Sequence, residues 1–121
     1  MSESSTGEVI YKKIIWGVNM EQFYKMVEAS NKRFPEGVNP YQMATRLLEE
    51  CGEIASEIHH WEGAGLKRQK YGEPSKENLA NELRQAMVEL FKIAVYYSVE
   101  NELEESVNQS LQMSKREGLI D

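Results

Sequence analysis

The sequence predicts an all-α fold, and three observations carry that prediction. Apolar residues recur with a helical period over most of residues 20–115. No strand-like alternation of any length follows residue 18. Residues that start and stop helices fall between the periodic stretches. A chain of 121 residues fits one domain. Four helices of the lengths read here suit a four-helix bundle or half of one.

Residues 1–18 read as a flexible or arm-like N-terminal segment, and 19–121 as the helical domain. Residues 8–18 are apolar and β-branched, and fit a short strand, a helical turn or an extended arm. Asn19 is a suitable N-cap for a first helix, about Met20–Arg33, with Phe23, Met26 and Val27 as its apolar stripe. Phe34-Pro35-Glu36-Gly37 ends it. Asn39-Pro40 restarts the chain, because Asn caps well and Pro at the first helical position loses no needed N–H. The second helix runs to about Trp61, and Gly63 and Gly65 break it. A loop follows, carrying Lys67-Arg68-Gln69-Lys70 and Tyr71-Gly72. Pro74-Ser75 opens a third helix, about Lys76–Glu100. A fourth, about Glu102–Lys115, ends near Gly118. The break between them is placed near Asn101.

The bulk properties narrow the function classes. The formal net charge is -6. That argues against nonspecific binding to a nucleic acid polymer or an acidic membrane. Cys51 is the single cysteine, so no intrachain disulfide can form and a reducing compartment is expected. No apolar run approaches the length of a membrane span. Met1–Gly7 is acidic and Ser-rich without the apolar centre of a signal peptide. The expectation is a cytoplasmic protein.

A short acidic pattern occurs twice. The first copy is Glu50-x-x-Glu53-x-x-x-Glu57 and the second is Glu82-x-x-Gln85-x-x-x-Glu89. On a helical wheel, Ala44, Leu47, Leu48, Cys51, Ala55 and Ile58 make one apolar face. Glu50, Glu53 and Glu57 fall about 100°, 160° and 120° to one side of its centre. Leu79, Leu83, Ala86, Met87, Leu90 and Ala94 make the matching face of the third helix. Glu82, Gln85 and Glu89 fall about 100°, 160° and 120° to the same side. Two antiparallel helices with rows in one phase bring those rows together. Carboxylates on neighbouring turns repel unless a cation joins them. Mg2+ takes about six oxygen ligands, usually a few carboxylates with water and phosphate. A solvated acidic face is the plainer reading of the same residues.

The words around these residues are more specific. Leu47-Leu48-Glu49-Glu50-Cys51-Gly52-Glu53-Ile54 resembles the Glu-Glu-x-x-Glu motif of the MazG-like, all-α nucleoside triphosphate pyrophosphohydrolases. Asn81-Glu82-Leu83-Arg84-Gln85-Ala86-Met87 resembles that family's second motif, Glu-x-x-Asp, with Gln85 where the family has Asp. The similarity covers roughly residues 20–116, which are then a MazG-like helical domain. It implies a four-helix bundle of the all-α NTP pyrophosphohydrolase type, completed by oligomerisation as a homodimer or a dimer of dimers. It implies cleavage of a nucleoside triphosphate to a monophosphate and pyrophosphate, with Mg2+ or Mn2+ as cofactor. Carried over by position, the metal ligands are Glu50, Glu53, Glu82 and Gln85. Glu89, one turn further on, is the natural substitute for the neutral amide at 85. Glu49, Glu50, Glu53 and Glu82 are the catalytic candidates.

For the substrate, Lys67, Arg68 and Lys70 suit phosphate capture, against a plain reading as a solvated loop. Trp61 and Tyr96 suit a base or ribose contact, against a packing role. Cys51 reads as a core residue. His59 and His60 suit the negative end of their helix. The six Met look like core filler. Two further readings stay open. One is a catalytically weakened nucleotide- or metal-binding regulatory protein of the same fold, because of Gln85. The other is a helical interaction module with solvated acid rows.

Overall fold

The computed structural model describes residues 19–63 and 66–121, and among these every regular element is helical. The helices are α1 (Met20–Arg33), α2 (Pro40–Glu62), α3 (Leu66–Tyr71), α4 (Lys76–Tyr96) and α5 (Glu100–Arg116), with a 3-10 turn at Pro35–Gly37 between α1 and α2. The readings placed on residues 8–18 and on Gly65 lie outside the described residues. No described helix is long and apolar enough to cross a membrane.

The caps follow from side-chain chemistry. Asn19 Oδ1 accepts from Gln22 N, and Gln22 Oε1 accepts from Asn19 N, each at 3.0 Å, so two orphan donors are satisfied reciprocally. Asn39 Oδ1 accepts from the N–H groups of Tyr41 and Gln42 ahead of Pro40. Ser75 Oγ accepts from Asn78 N to start α4.

Two boundaries differ from the sequence reading. The basic stretch after Gly65 is the short helix α3, not a loop; Gly72, at φ +79°, stops it with an N–H donated to the Arg68 carbonyl. The break between the last two long helices lies at Tyr97–Val99, not near Asn101. There Ser98 adopts φ +56°, Ser98 N donates to Val95 O, and Val99 N donates to Ala94 O. This is a Schellman closure with serine where glycine is usual. The left-handed region costs an L-residue roughly 1–2 kcal/mol. Ser98→Gly is therefore expected to stabilise the protein by about 1 kcal/mol, read as a higher denaturation midpoint at unchanged slope.

α1 packs on α4. Phe23, Val27 and Val88 form the buried centre, and Met26, Phe91 and Val95 close around it. Phe23 and Phe91 stack with centroids 5.0 Å apart, and Tyr24 meets Phe91 edge-on. α2 also packs on α4. The two run antiparallel: the start of α2 and the later turns of α4 line one cleft, while His60 near the end of α2 bonds to Gly72 just before α4. The residues of α2 that turn inward are Met43, Leu47, Glu50, Ile54, Glu57 and Trp61, a spacing of four and three.

The apolar face read for α2 is thereby displaced by about one residue. Ala44, Leu48, Cys51, Ala55 and Ile58 are exposed, with Leu48 at 73%. Cys51 is an exposed thiol rather than a core residue. On α4, Ala86 and Ala94 are buried, but Leu83, Met87 and Leu90 are exposed, with Leu90 at 52%. The physical reason is that the acid row takes the α2–α4 seam and leaves the more apolar arcs on the far side. Among the six Met, Met43 is buried, while Met87 and Met113 are exposed.

Candidate functional site

Along the α2–α4 seam, four carboxylates turn inward: Glu50 and Glu57 from α2, and Glu82 and Glu89 from α4. Each pair is seven residues apart, two turns of helix, so both members face the neighbouring helix. In each, Oε2 is buried and has no hydrogen-bond partner among the described residues. An ionised carboxylate oxygen out of contact with water and without a donor is costly. Glu53, the middle member of its row, is exposed, and Gln85 is half-buried.

Electrostatics couple Glu50 to Glu82, Glu89 and Glu53. The Glu50 carboxyl is pushed above the usual carboxylate range, first by burial and then by the charges of Glu82, Glu89 and Glu53; Arg46 partly opposes the shift. Lys92 Nζ donates to Glu89 Oε1 at 3.2 Å. Among the described residues, no three His, Cys, Asp or Glu side chains are drawn together closely enough to enclose an ion as they stand. Repulsion between like charges works against that gathering.

Beside the seam is an open cleft of about 980 Å³ between α1, the 3-10 turn, α2 and α4. Glu50, Gln85 and Glu89 line its acidic part. Arg33, Arg46, Arg84 and Lys92 also line it, as do the exposed rings of Phe34 and Tyr41. Glu49 sits at its edge, exposed. The cleft thus combines acidic oxygens, three arginines with a lysine paired to Glu89, and two aromatic rings.

The other sequence candidates sit elsewhere. Lys67 Nζ donates to the Ser56 carbonyl at 3.1 Å and to its hydroxyl at 2.9 Å. Arg68 Nη2 donates to the Trp61 carbonyl at 2.7 Å, and Nη1 lies 3.6 Å from Glu73. Lys70 Nζ lies 5.2 Å from the Tyr71 ring centre. These contacts pin α3 back onto the end of α2. Trp61 is half-buried there, and its carbonyl is the acceptor for Arg68. Tyr96 ends α4 edge-on to Tyr97. None of Lys67, Arg68, Lys70, Trp61 or Tyr96 lines the cleft.

The residues that sequence reasoning missed are Arg33, Arg46, Phe34 and Tyr41. A usable signal existed for Arg46, one turn before Glu50 on the same helix. Comparison with family models, curated proteins and solved structures returned no match.

Proposed function

We propose that this protein is a Mg2+-dependent nucleoside triphosphate pyrophosphohydrolase that acts in the cleft between α1, α2 and α4. The observation that carries this reading is the set of four buried, unpartnered carboxylate oxygens on Glu50, Glu57, Glu82 and Glu89. As they stand, no three acids among the described residues enclose an ion; a hard divalent cation would draw several of these oxygens in by turning their side chains. Glu50, Glu82 and Glu89, which are coupled electrostatically, are the proposed ligands, with Glu53 and Gln85 completing the donor set. Mg2+ held there supplies a Lewis acid that polarises phosphate oxygens and makes bound water more acidic.

The chain's own groups supply the rest. Arg33, Arg46 and Arg84 match the charge of a phosphate chain lying in the cleft, while Lys92 is paired with Glu89. Phe34 and Tyr41 offer faces for a base. Phosphoryl transfer asks mainly for such positioning and charge neutralisation. Glu49, which lines the cleft, is assigned the orientation of water rather than a metal-ligand role. The acting form is a homodimer, alone or paired into a dimer of dimers, because α2 and α4 leave their apolar arcs uncovered. A reducing, cytoplasmic setting suits the exposed thiol of Cys51.

The test is incubation with a panel of ribo- and deoxyribonucleoside triphosphates and Mg2+ or Mn2+, with chromatography for monophosphate and pyrophosphate. At least one triphosphate is expected to yield both products. If none turns over, but calorimetry shows metal and nucleotide bound, the second reading holds. That reading is a regulatory binding protein, favoured by the neutral Gln85 in the cleft lining.

A further inference from the structure

The apolar stripe of α5 has no cover among the described residues. Leu103, Val107 and Leu111 recur one turn apart, and Val107 and Leu111 are 41% and 46% exposed. α5 is 17 residues long and meets the other described helices mainly through α4. A helix draws most of its stability from a packed face, so this stripe asks for a partner. Glu100 and Glu104 flank it, within about 60° of Val107 round the helix. Among the described residues neither is ion-paired.

The entry of the chain into the described fold selects the occupant. Asn19 caps α1. Phe23, in the first turn, stacks on Phe91 near the end of α4, shortly before α5 begins. Tyr24 meets Phe91 edge-on, and its hydroxyl is buried without a partner among the described residues. Burial raises the pKa of that hydroxyl first, and the charges of Glu100 and Glu104 raise it further. The start of α1 therefore lies beside the first turns of α5, on the side that carries the stripe.

The stretch that leads to Asn19, outside the described residues, suits the stripe in apolarity, charge and length. Residues 8–18 hold Val9, Ile10, Ile14, Ile15, Trp16 and Val18. Lys12 and Lys13 are their only basic residues. The first turns of α5 carry Glu100, Glu102, Glu104 and Glu105. Leu103 to Leu111 spans about 12 Å. Eleven residues reach about 16 Å as a helix and about 36 Å fully extended, and either suffices. We propose that residues 8–18 pack along the α5 stripe of the same chain, with Lys12 and Lys13 set against Glu100 and Glu104. This is independent of the nucleotide reading, and it leaves the apolar back of α2 and α4 to a second copy.

Trp16 reports on the contact, because the chain has two tryptophans and full-length Trp61→Phe leaves Trp16 as the sole emitter. Its emission is expected to be blue-shifted from that of solvated tryptophan, and equally so from nanomolar to high micromolar protein. Val107→Glu and Leu111→Glu, both at exposed positions, are each expected to shift it to the solvated value. Lys12→Glu with Lys13→Glu is expected to shift it likewise, and adding Glu100→Lys with Glu104→Lys to restore it. Solvated emission from Trp16 in folded Trp61→Phe would overturn the proposal. A blue shift that disappears on dilution would assign the stripe to a second copy instead. A blue shift that neither Val107→Glu nor Leu111→Glu alters would place residues 8–18 elsewhere and overturn it as well.

Discussion

Glu50→Gln is expected to raise the melting temperature of the metal-free protein at neutral pH and to remove its response to Mg2+. The Glu50 carboxyl is pushed up first by burial, then by Glu82, Glu89 and Glu53. The sign follows from linkage. An acid with a raised folded-state pKa binds its proton more tightly folded than unfolded, so stability falls as pH rises through the window between the two values. The penalty is absent below the unfolded value of 4.5 and complete above the folded one. The Glu50 contribution to stability is therefore expected to decline as pH rises above about 4.5. The glutamine variant cannot lose that proton, so its profile is flatter there and higher at pH 7. Mg2+ inverts the ranking, because binding to the native state alone stabilises it. The unmodified protein gains with added Mg2+; Glu50→Gln gains far less, and its hydrolytic rate drops by about a hundredfold or more. Scanning calorimetry from pH 4 to 8, with and without Mg2+, reads all of this. A Glu50→Gln protein that melts lower without metal, or that gains as much from Mg2+, would show that Glu50 is an ordinary surface acid.

The helices were legible where local chemistry decides them. Asn19, Asn39 with Pro40, and Ser75 announce their helices through side chains that reach only two or three residues. The end of α4 was not legible, because Ser98 takes a conformation that sequence reasoning assigns to glycine. The inward face of α2 was misplaced for a different reason. A wheel finds the most apolar arc, and Leu48, Cys51, Ala55 and Ile58 are that arc. The seam instead uses Met43, Leu47, Glu50, Ile54, Glu57 and Trp61. Acids at inward positions conflict with apolarity, and such conflicts between local pattern and tertiary use concentrate at functional sites. The acid rows themselves were visible as a repeat; the cleft cations Arg33 and Arg46 were not. Arg33, Arg46 and Arg84 come from three helices and meet only after folding. Lys67, Arg68 and Lys70 stood out because they are adjacent in sequence, yet their contacts are to α2, Glu73 and Tyr71.

On the homodimer proposal, Leu48→Glu and Leu90→Glu are each expected to leave the chain monomeric. About the α2–α4 seam, Arg46 and Glu49 lie roughly 100° round α2 toward the cleft, whereas Leu48, Cys51, Ala55 and Ile58 lie roughly 100° the other way. On α4, Lys92 and Gln85 face the cleft, and Leu83, Met87 and Leu90 lie roughly 100° from the seam on the opposite side. The two arcs therefore join into one apolar surface across the back of the hairpin, continuous over both helices. An apolar surface of that kind marks an association site rather than chance exposure. A second copy is self-complementary to such a surface, and two antiparallel hairpins laid back to back make a four-helix bundle. Each Leu buried there contributes about 2 kcal/mol. Two-fold symmetry counts it twice, so one truncation weakens the dimer by about a thousandfold, and a buried charge weakens it further. Sedimentation velocity over a concentration series measures this directly. Cys51 provides a second readout, since it lies on the same arc. Its thiol is expected to react with iodoacetamide more slowly in the dimer than in Leu90→Glu. A monomer at high micromolar concentration, with Cys51 equally reactive in both proteins, would mean that copies of this chain do not cover the apolar back.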